Sequence, residues 1–131
     1  MRTAFHRCLS VLAALLVAAV AVASESALTP TELARWQSEH KAPLVIDVRS
    51  EAEFREGHIP GAVNIPHDQI ATRIASTGIR PDQAFVLYCR SGRRVGIARQ
   101  ALEQAGYVHS RALEGSFEAW QKAGLAIEKS P

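Results

Sequence analysis

Two cysteines are the whole thiol complement of this 131-residue chain, and Cys8 lies within the first two dozen residues. Beyond them only Cys89 remains, which excludes an intramolecular disulfide framework and a Cys-x-x-Cys redox pair. His40, His67 and His109 show no metal-ligand spacing, so no metal site is expected from them. Aromatic residues are 6% of the chain and the formal net charge is only +2. Nucleic acid needs a strongly basic face, and nothing here supplies one, so no nucleic-acid partner is expected. No apolar run reaches the ~20 residues of a membrane-spanning helix.

The longest apolar run, Leu9 to Val22 with Ser10 as its one polar residue, follows a basic start of Arg2, His6 and Arg7 and precedes Ala21-Val22-Ala23. That order of basic, apolar and small residues is the pattern of a secretory signal peptide, residues 1–23, cut after Ala23. The mature domain is then residues 24–131, periplasmic or secreted, with no membrane attachment after cleavage. Cys8, ahead of the apolar run, leaves with the peptide. So do Arg2 and Arg7, leaving thirteen basic residues against thirteen acidic. In an oxidising compartment the remaining thiol is free, reactive or paired between molecules.

About a hundred residues make one small domain with one core. The organisation alternates. Thr29-Pro30-Thr31-Glu32 is a capping box with proline at the first helical position, predicting a helix through Leu33 and Trp36. Leu44-Val45-Ile46 is a buried strand by its unbroken apolar character. Ser50 and Glu53 repeat the capping spacing, and Gly57 stops a short helix over 51–56. Ala62 to Ile65 reads as a strand, Asp68 to Ala75 as a helix, and Ala84 to Tyr88 as the central strand. Val95, Ala98, Leu102 and Ala105 mark one face of a helix closed by Gly106. Tyr107-Val108 and Arg111 to Leu113 are further strand candidates, and Phe117 with Trp120 lies on a last helix ended by Gly124. Short apolar strands alternating with helices imply an α/β fold: a parallel sheet covered on both faces, binding ligands beyond the carboxyl ends of its strands.

Cys89 stands at such an end, in Cys89-Arg90-Ser91-Gly92-Arg93-Arg94. A free thiol is mostly protonated at neutral pH, and only the thiolate is a good nucleophile. Three features favour the anion: the start of a helix near Arg93, the successive amides of a tight glycine loop, and three guanidinium charges. Gly92 allows the sharp turn, with positive φ, that converges those amides on sulfur.

The same six residues resemble the active loop of the rhodanese sulfurtransferases. Asp47-Val48-Arg49, Glu53-Phe54 and the run Gly57-His58-Ile59-Pro60-Gly61-Ala62-Val63-Asn64-Ile65-Pro66 are similar to that family's two N-terminal signatures. Leu113-Glu114-Gly115 with Trp120 and Gly124 resembles its C-terminal signature, with Glu114 where the family usually has a glycine, a departure that bears on the local turn. The resemblance covers Leu28 to Ile127. It implies a rhodanese-like central parallel sheet of about five strands with helices on both faces, and double displacement through Cys89. The Cys89 thiolate takes the outer sulfur of thiosulfate, and cyanide or a thiol then removes it from the persulfide, a reaction that calls for no metal or organic cofactor. It further implies that Arg90, Ser91, Gly92, Arg93 and Arg94 bind substrate, although Arg93 and Arg94 each have solvation or an acidic partner as an alternative. Asp47, Arg49 and His58 are bracing residues; Trp36, Phe117 and Trp120 are core or pocket wall.

Counting along the loop separates rival chemistries. Cysteine-dependent phosphatases of this fold need arginine six residues beyond the nucleophile. Here that position is Val95, and Arg94 comes one residue early. Enzymes of the family that prefer 3-mercaptopyruvate often carry glycine beside the cysteine, whereas this chain has Arg90, so dianionic thiosulfate is the expected donor. A non-enzymatic persulfide carrier, working with a protein that loads or unloads it, needs the same loop. A redox-responsive protein forming mixed disulfides is a third reading, disfavoured by the lack of a resolving cysteine.

Overall fold

Two capping boxes start the helices that open the described chain, residues 27–131 of this computed structural model. The expected signal peptide and Cys8 lie outside the described residues. Thr29 Oγ1 accepts the Glu32 amide at 3.2 Å while Glu32 Oε2 accepts the Thr29 amide at 3.0 Å, starting α1, Pro30–Ser38. Ser50 and Glu53 repeat the exchange at 3.3 and 2.9 Å and start α2, Glu51–Glu56. A six-residue helix with no buried side chain has little intrinsic stability, so the cap and a contact from elsewhere in the chain must hold α2 in place.

The sheet consists of β1 (Leu44–Asp47), β2 (Val63–Asn64), β3 (Phe85–Tyr88) and β4 (Ser110–Ala112). All pairs are parallel, in the order β2-β1-β3-β4, with Asp47 opposite both Asn64 and Tyr88. Of the five strands expected, four are full strands. At the fifth place Leu28 makes a single parallel bridge to Leu113, just past β4, and its carbonyl accepts the Glu114 amide at 2.8 Å. β2 is only two residues long, and beyond it the Ile65 and His67 amides, on either side of Pro66, still donate to the Asp47 and Val48 carbonyls at 3.0 Å each.

The period of two along β3 divides the core. Phe85, Leu87 and, beyond the strand, Cys89 pack on one face with Ile70, Ile74, Val95, Ala98 and Leu102. These come from α3 (Ile70–Arg73), a 3-10 turn (Ile74–Thr77) and α4 (Arg93–Gln104). Val86 and Tyr88 face the other way, against Leu33 of α1 and Phe117 and Trp120 of α5, Ser116–Lys122. The helix expected over 68–75 is shorter than the sequence suggests and tightens to 3-10 geometry where the Ser76 and Thr77 hydroxyls bond back to the Arg73 and Ile74 carbonyls. Tyr107-Val108 forms no strand, since the Tyr107 amide is taken by the Leu102 carbonyl at 2.9 Å in closing α4.

Glu114 does not disturb the turn into α5. The left-handed positions are Gly115 (φ 67°) and Ser116 (φ 53°), and Glu114 is not among the residues with positive φ. A Cβ on Gly115 would lie 2.5 Å from the Ala119 Cβ. Gly115→Ala is therefore expected to destabilise the domain by roughly 1 to 3 kcal/mol, and Glu114→Gly by no more than about 1 kcal/mol. Urea unfolding of the two variants checks this; equal losses would contradict it.

Candidate active site

Cys89 follows directly on β3, whose end is fixed from both sides. The Val48 amide donates to the Tyr88 carbonyl at 2.9 Å, and the Tyr88 hydroxyl accepts the Ile59 amide at 3.1 Å. Burial, with Asp47 nearby, raises the Tyr88 phenol well above its ordinary value, so it stays neutral. The chain leaves the strand by docking on α5. The Phe117 amide donates to the Cys89 carbonyl at 3.0 Å and the Glu118 amide to the Arg90 carbonyl at 3.1 Å. Fully buried Ser116 accepts the Cys89 amide through Oγ at 3.3 Å, and that oxygen lies 3.9 Å from Cys89 Sγ. Ser116 is a site residue that the sequence reading missed. Its one signal was a small hydroxyl residue at a helix start after glycine, which reads equally well as an ordinary cap.

Cys89 is 1% exposed, and its sulfur accepts the Gly92 amide at 2.9 Å. Gly92 has φ 119°, the positive value expected, and α4 starts at the next residue. Unlike α1 and α2, which each place a glutamate in the first turn, α4 has no side-chain cap and no acid there. Its orphan amides and the positive end of its dipole are left for an anion at Cys89.

The three loop arginines diverge. Arg94 donates two hydrogen bonds to Glu53, at 2.7 and 2.9 Å, joining the loop to α2. The Arg94 bonds, with the Ser50 amide and hydroxyl, bring the Glu53 carboxyl down to about 2. Of Arg93 and Arg94, then, it is Arg94 that has the acidic partner. Arg90 is exposed, with Nε 3.2 Å from Glu118. Ser91 and Arg93 are exposed and Gly92 is half-buried. Asp47, Arg49 and His58 occupy bracing positions, as expected. Buried Arg49 donates to Asp47 and, at 2.7 Å, to the Gly57 carbonyl, with its guanidinium carbon 4.2 Å from the Phe117 ring centre. His58 stacks on Phe54 and its Nδ1 donates to the Phe54 carbonyl at 2.7 Å. Among the described residues no cluster of His, Cys, Asp and Glu could hold a metal ion.

Two clefts flank the Arg94–Glu53 pair. One of about 640 Å³ is lined by Ser50, Phe54, Asn64, His67 and Arg94 among others. The second, of about 430 Å³, includes Arg49, Glu53, Arg90, Phe117 and Lys129.

The fold agrees with comparison to known proteins. The family model described as "Rhodanese-like domain" matches residues 29–123, and the chain belongs to that family. A sulfurtransferase of Allochromatium vinosum is 39% identical over 84 residues, covering 64% of this chain and 77% of that protein. The thiosulfate sulfurtransferase PspE of Escherichia coli is 36% identical over 64 residues, covering 49% and 62%. A crystal structure of a rhodanese-like domain protein from Staphylococcus aureus superposes with a TM-score of 0.67 at 28% identity, covering 80% and 98%. The chain spans only 26% to 46% of the length of the longer Mycobacterium tuberculosis relatives it matches.

The depressed Glu53 carboxyl has a consequence for pH. A group whose folded value lies below its unfolded one stabilises the fold fully above the unfolded value and ceases to do so as pH falls through the folded one. The Glu53 contribution is thus complete above about pH 4.5 and is lost toward pH 2. Glu53→Gln keeps a side chain able to complete the capping box but not the charge. Its unfolding free energy should therefore fall less steeply than the wild type's from about pH 5 to pH 2, followed by urea titration at each pH. Parallel profiles would contradict the assignment.

Proposed function

We propose that this chain is an exported thiosulfate sulfurtransferase working through a Cys89 persulfide. The observation that carries the reading is the Gly92 amide on Cys89 Sγ at 2.9 Å, at the uncapped, acid-free start of α4. In the first step the Cys89 thiolate attacks the outer sulfur of thiosulfate. The bond between the two thiosulfate sulfurs breaks, and sulfite leaves with the electron pair. In the second, cyanide or a thiolate attacks the outer persulfide sulfur and the cysteine thiolate departs, so no external oxidant or reductant is needed. Loop amides holding negative charge on sulfur in both steps would act as an oxyanion hole does in acyl transfer.

Several features support thiosulfate over larger donors and over phosphate esters. A nucleophilic residue only 1% exposed favours a slim reactant presenting a terminal atom. Val95, at the position where a phosphatase needs arginine, is buried in the core, 4% exposed. The similarity to PspE, a thiosulfate sulfurtransferase, points the same way. Export rests on the basic, apolar and small-residue order of residues 1–23.

Thiosulfate alone should add one sulfur atom to the protein, seen by intact mass, and cyanide should remove it as thiocyanate. Cys89→Ser should abolish both steps. Arg90→Ala, which removes an exposed cation beside the nucleophile, should lower kcat/KM for thiosulfate about ten- to a hundredfold. Loading without turnover on any acceptor would mark a persulfide carrier instead, and near-native turnover by Cys89→Ser would refute the site.

A further inference from the structure

The family match ends at residue 123, but the chain continues into a segment that helps build the site. Residues 126–130 run back across α2 and are held at four points. The Trp120 indole donates to the Ala126 carbonyl at 2.8 Å. His58 and Glu128 exchange backbone hydrogen bonds at 2.9 and 3.0 Å, and the Ser130 amide donates to the Arg55 carbonyl at 3.1 Å. The approach is close enough that a Cβ on Gly57 would stand 3.0 Å from Ile127 Cγ2.

This extended strap alternates its side chains. Glu128 turns toward His58, with 3.6 Å between carboxylate and Nε2, and toward the Gly61 amide at 3.5 Å. Ile127 and Lys129 line the cleft of about 430 Å³ that also holds Arg49, Arg90 and Phe117. The other charges lining that cleft are mostly satisfied: Arg49 by Asp47, Arg90 by Glu118 and Glu53 by Arg94. Exposed Glu56 also lines the cleft and makes no ion pair within 4 Å among the described residues. Lys129 makes no ion pair within 4 Å among the described residues.

We propose that Lys129 is a specificity-determining residue: it draws the dianionic sulfur donor into the cleft beside the Cys89 loop. The inference rests on the sulfurtransferase reading and adds to it a residue outside the family-matched region. An ammonium on a flexible stem acts here as an attractive point charge, and its effect is sensitive to salt. It acts on capture of the donor and leaves the chemical step alone.

The test uses Lys129→Glu, Lys129→Ala and Lys129→Arg in the whole protein, with two readouts. In turnover, KM for thiosulfate should rise about five- to twentyfold in the glutamate variant and less in the alanine one, with kcat unchanged, recovery in the arginine variant and a weaker dependence on added salt. In alkylation of Cys89, the rate with anionic iodoacetate relative to neutral iodoacetamide should fall in Lys129→Glu by a similar factor. Both readouts unchanged in Lys129→Glu would overturn the role of Lys129 and leave the sulfurtransferase reading standing. A lowered alkylation ratio in a protein whose wild type never turns over thiosulfate would support anion capture by Lys129 and overturn the reading of function.

Discussion

The docking of the Cys89 loop on the first amides of α5 is the constraint from which the rest of the site follows. The Phe117 and Glu118 amides would otherwise be orphan donors at a helix start, and the Cys89 and Arg90 carbonyls would be orphan acceptors past a strand end. Pairing them satisfies both sets and fixes the loop's first two peptide units. With those fixed, Gly92 turns back at positive φ and sends its amide to the sulfur. Ser116 makes the join compact, its hydroxyl serving the Cys89 amide from a fully buried position. A strand end thus becomes a tight loop whose Gly92 amide points at the cysteine sulfur.

A second anchor holds the far end of the loop. Arg94 bonds twice to Glu53, and Glu53 also caps α2, so one carboxylate ties together a helix without a buried face and the last residue of the loop. Beneath both lies the Asp47–Arg49 pair, almost wholly buried and closed by the Gly57 carbonyl and two aromatic rings. A buried ion pair adds little net stability once desolvation is counted, but losing either partner leaves an uncompensated charge inside. Its contribution here is to hold the end of β1, the start of α2 and the Phe117 ring in one geometry around the clefts.

What the sequence made legible is what local chemistry specifies. Both capping boxes span four residues, and both helices start where the boxes place them. The positive φ at Gly92 and the helix after it follow from the loop's own composition. Interactions between distant residues were less legible. Glu53 and Arg94 are 41 residues apart, so sequence could say only that a loop arginine had an acidic partner as an alternative. Ser116 reaches Cys89 across 27 residues, and the strap over 126–130 has no motif to announce it. The expectation of about five strands came from the resemblance and not from a pattern; four full strands form, and at the fifth place Leu28 makes a single bridge.

The central claim is that the loop amides hold anionic sulfur on Cys89. The most direct measurement is a crystal structure of the protein after exposure to thiosulfate. The account predicts one additional sulfur bonded to Cys89 Sγ and lying within hydrogen-bonding distance of the amides at the start of α4. An unmodified Cys89 in protein that had consumed thiosulfate, or a persulfide pointing away from those amides, would contradict it.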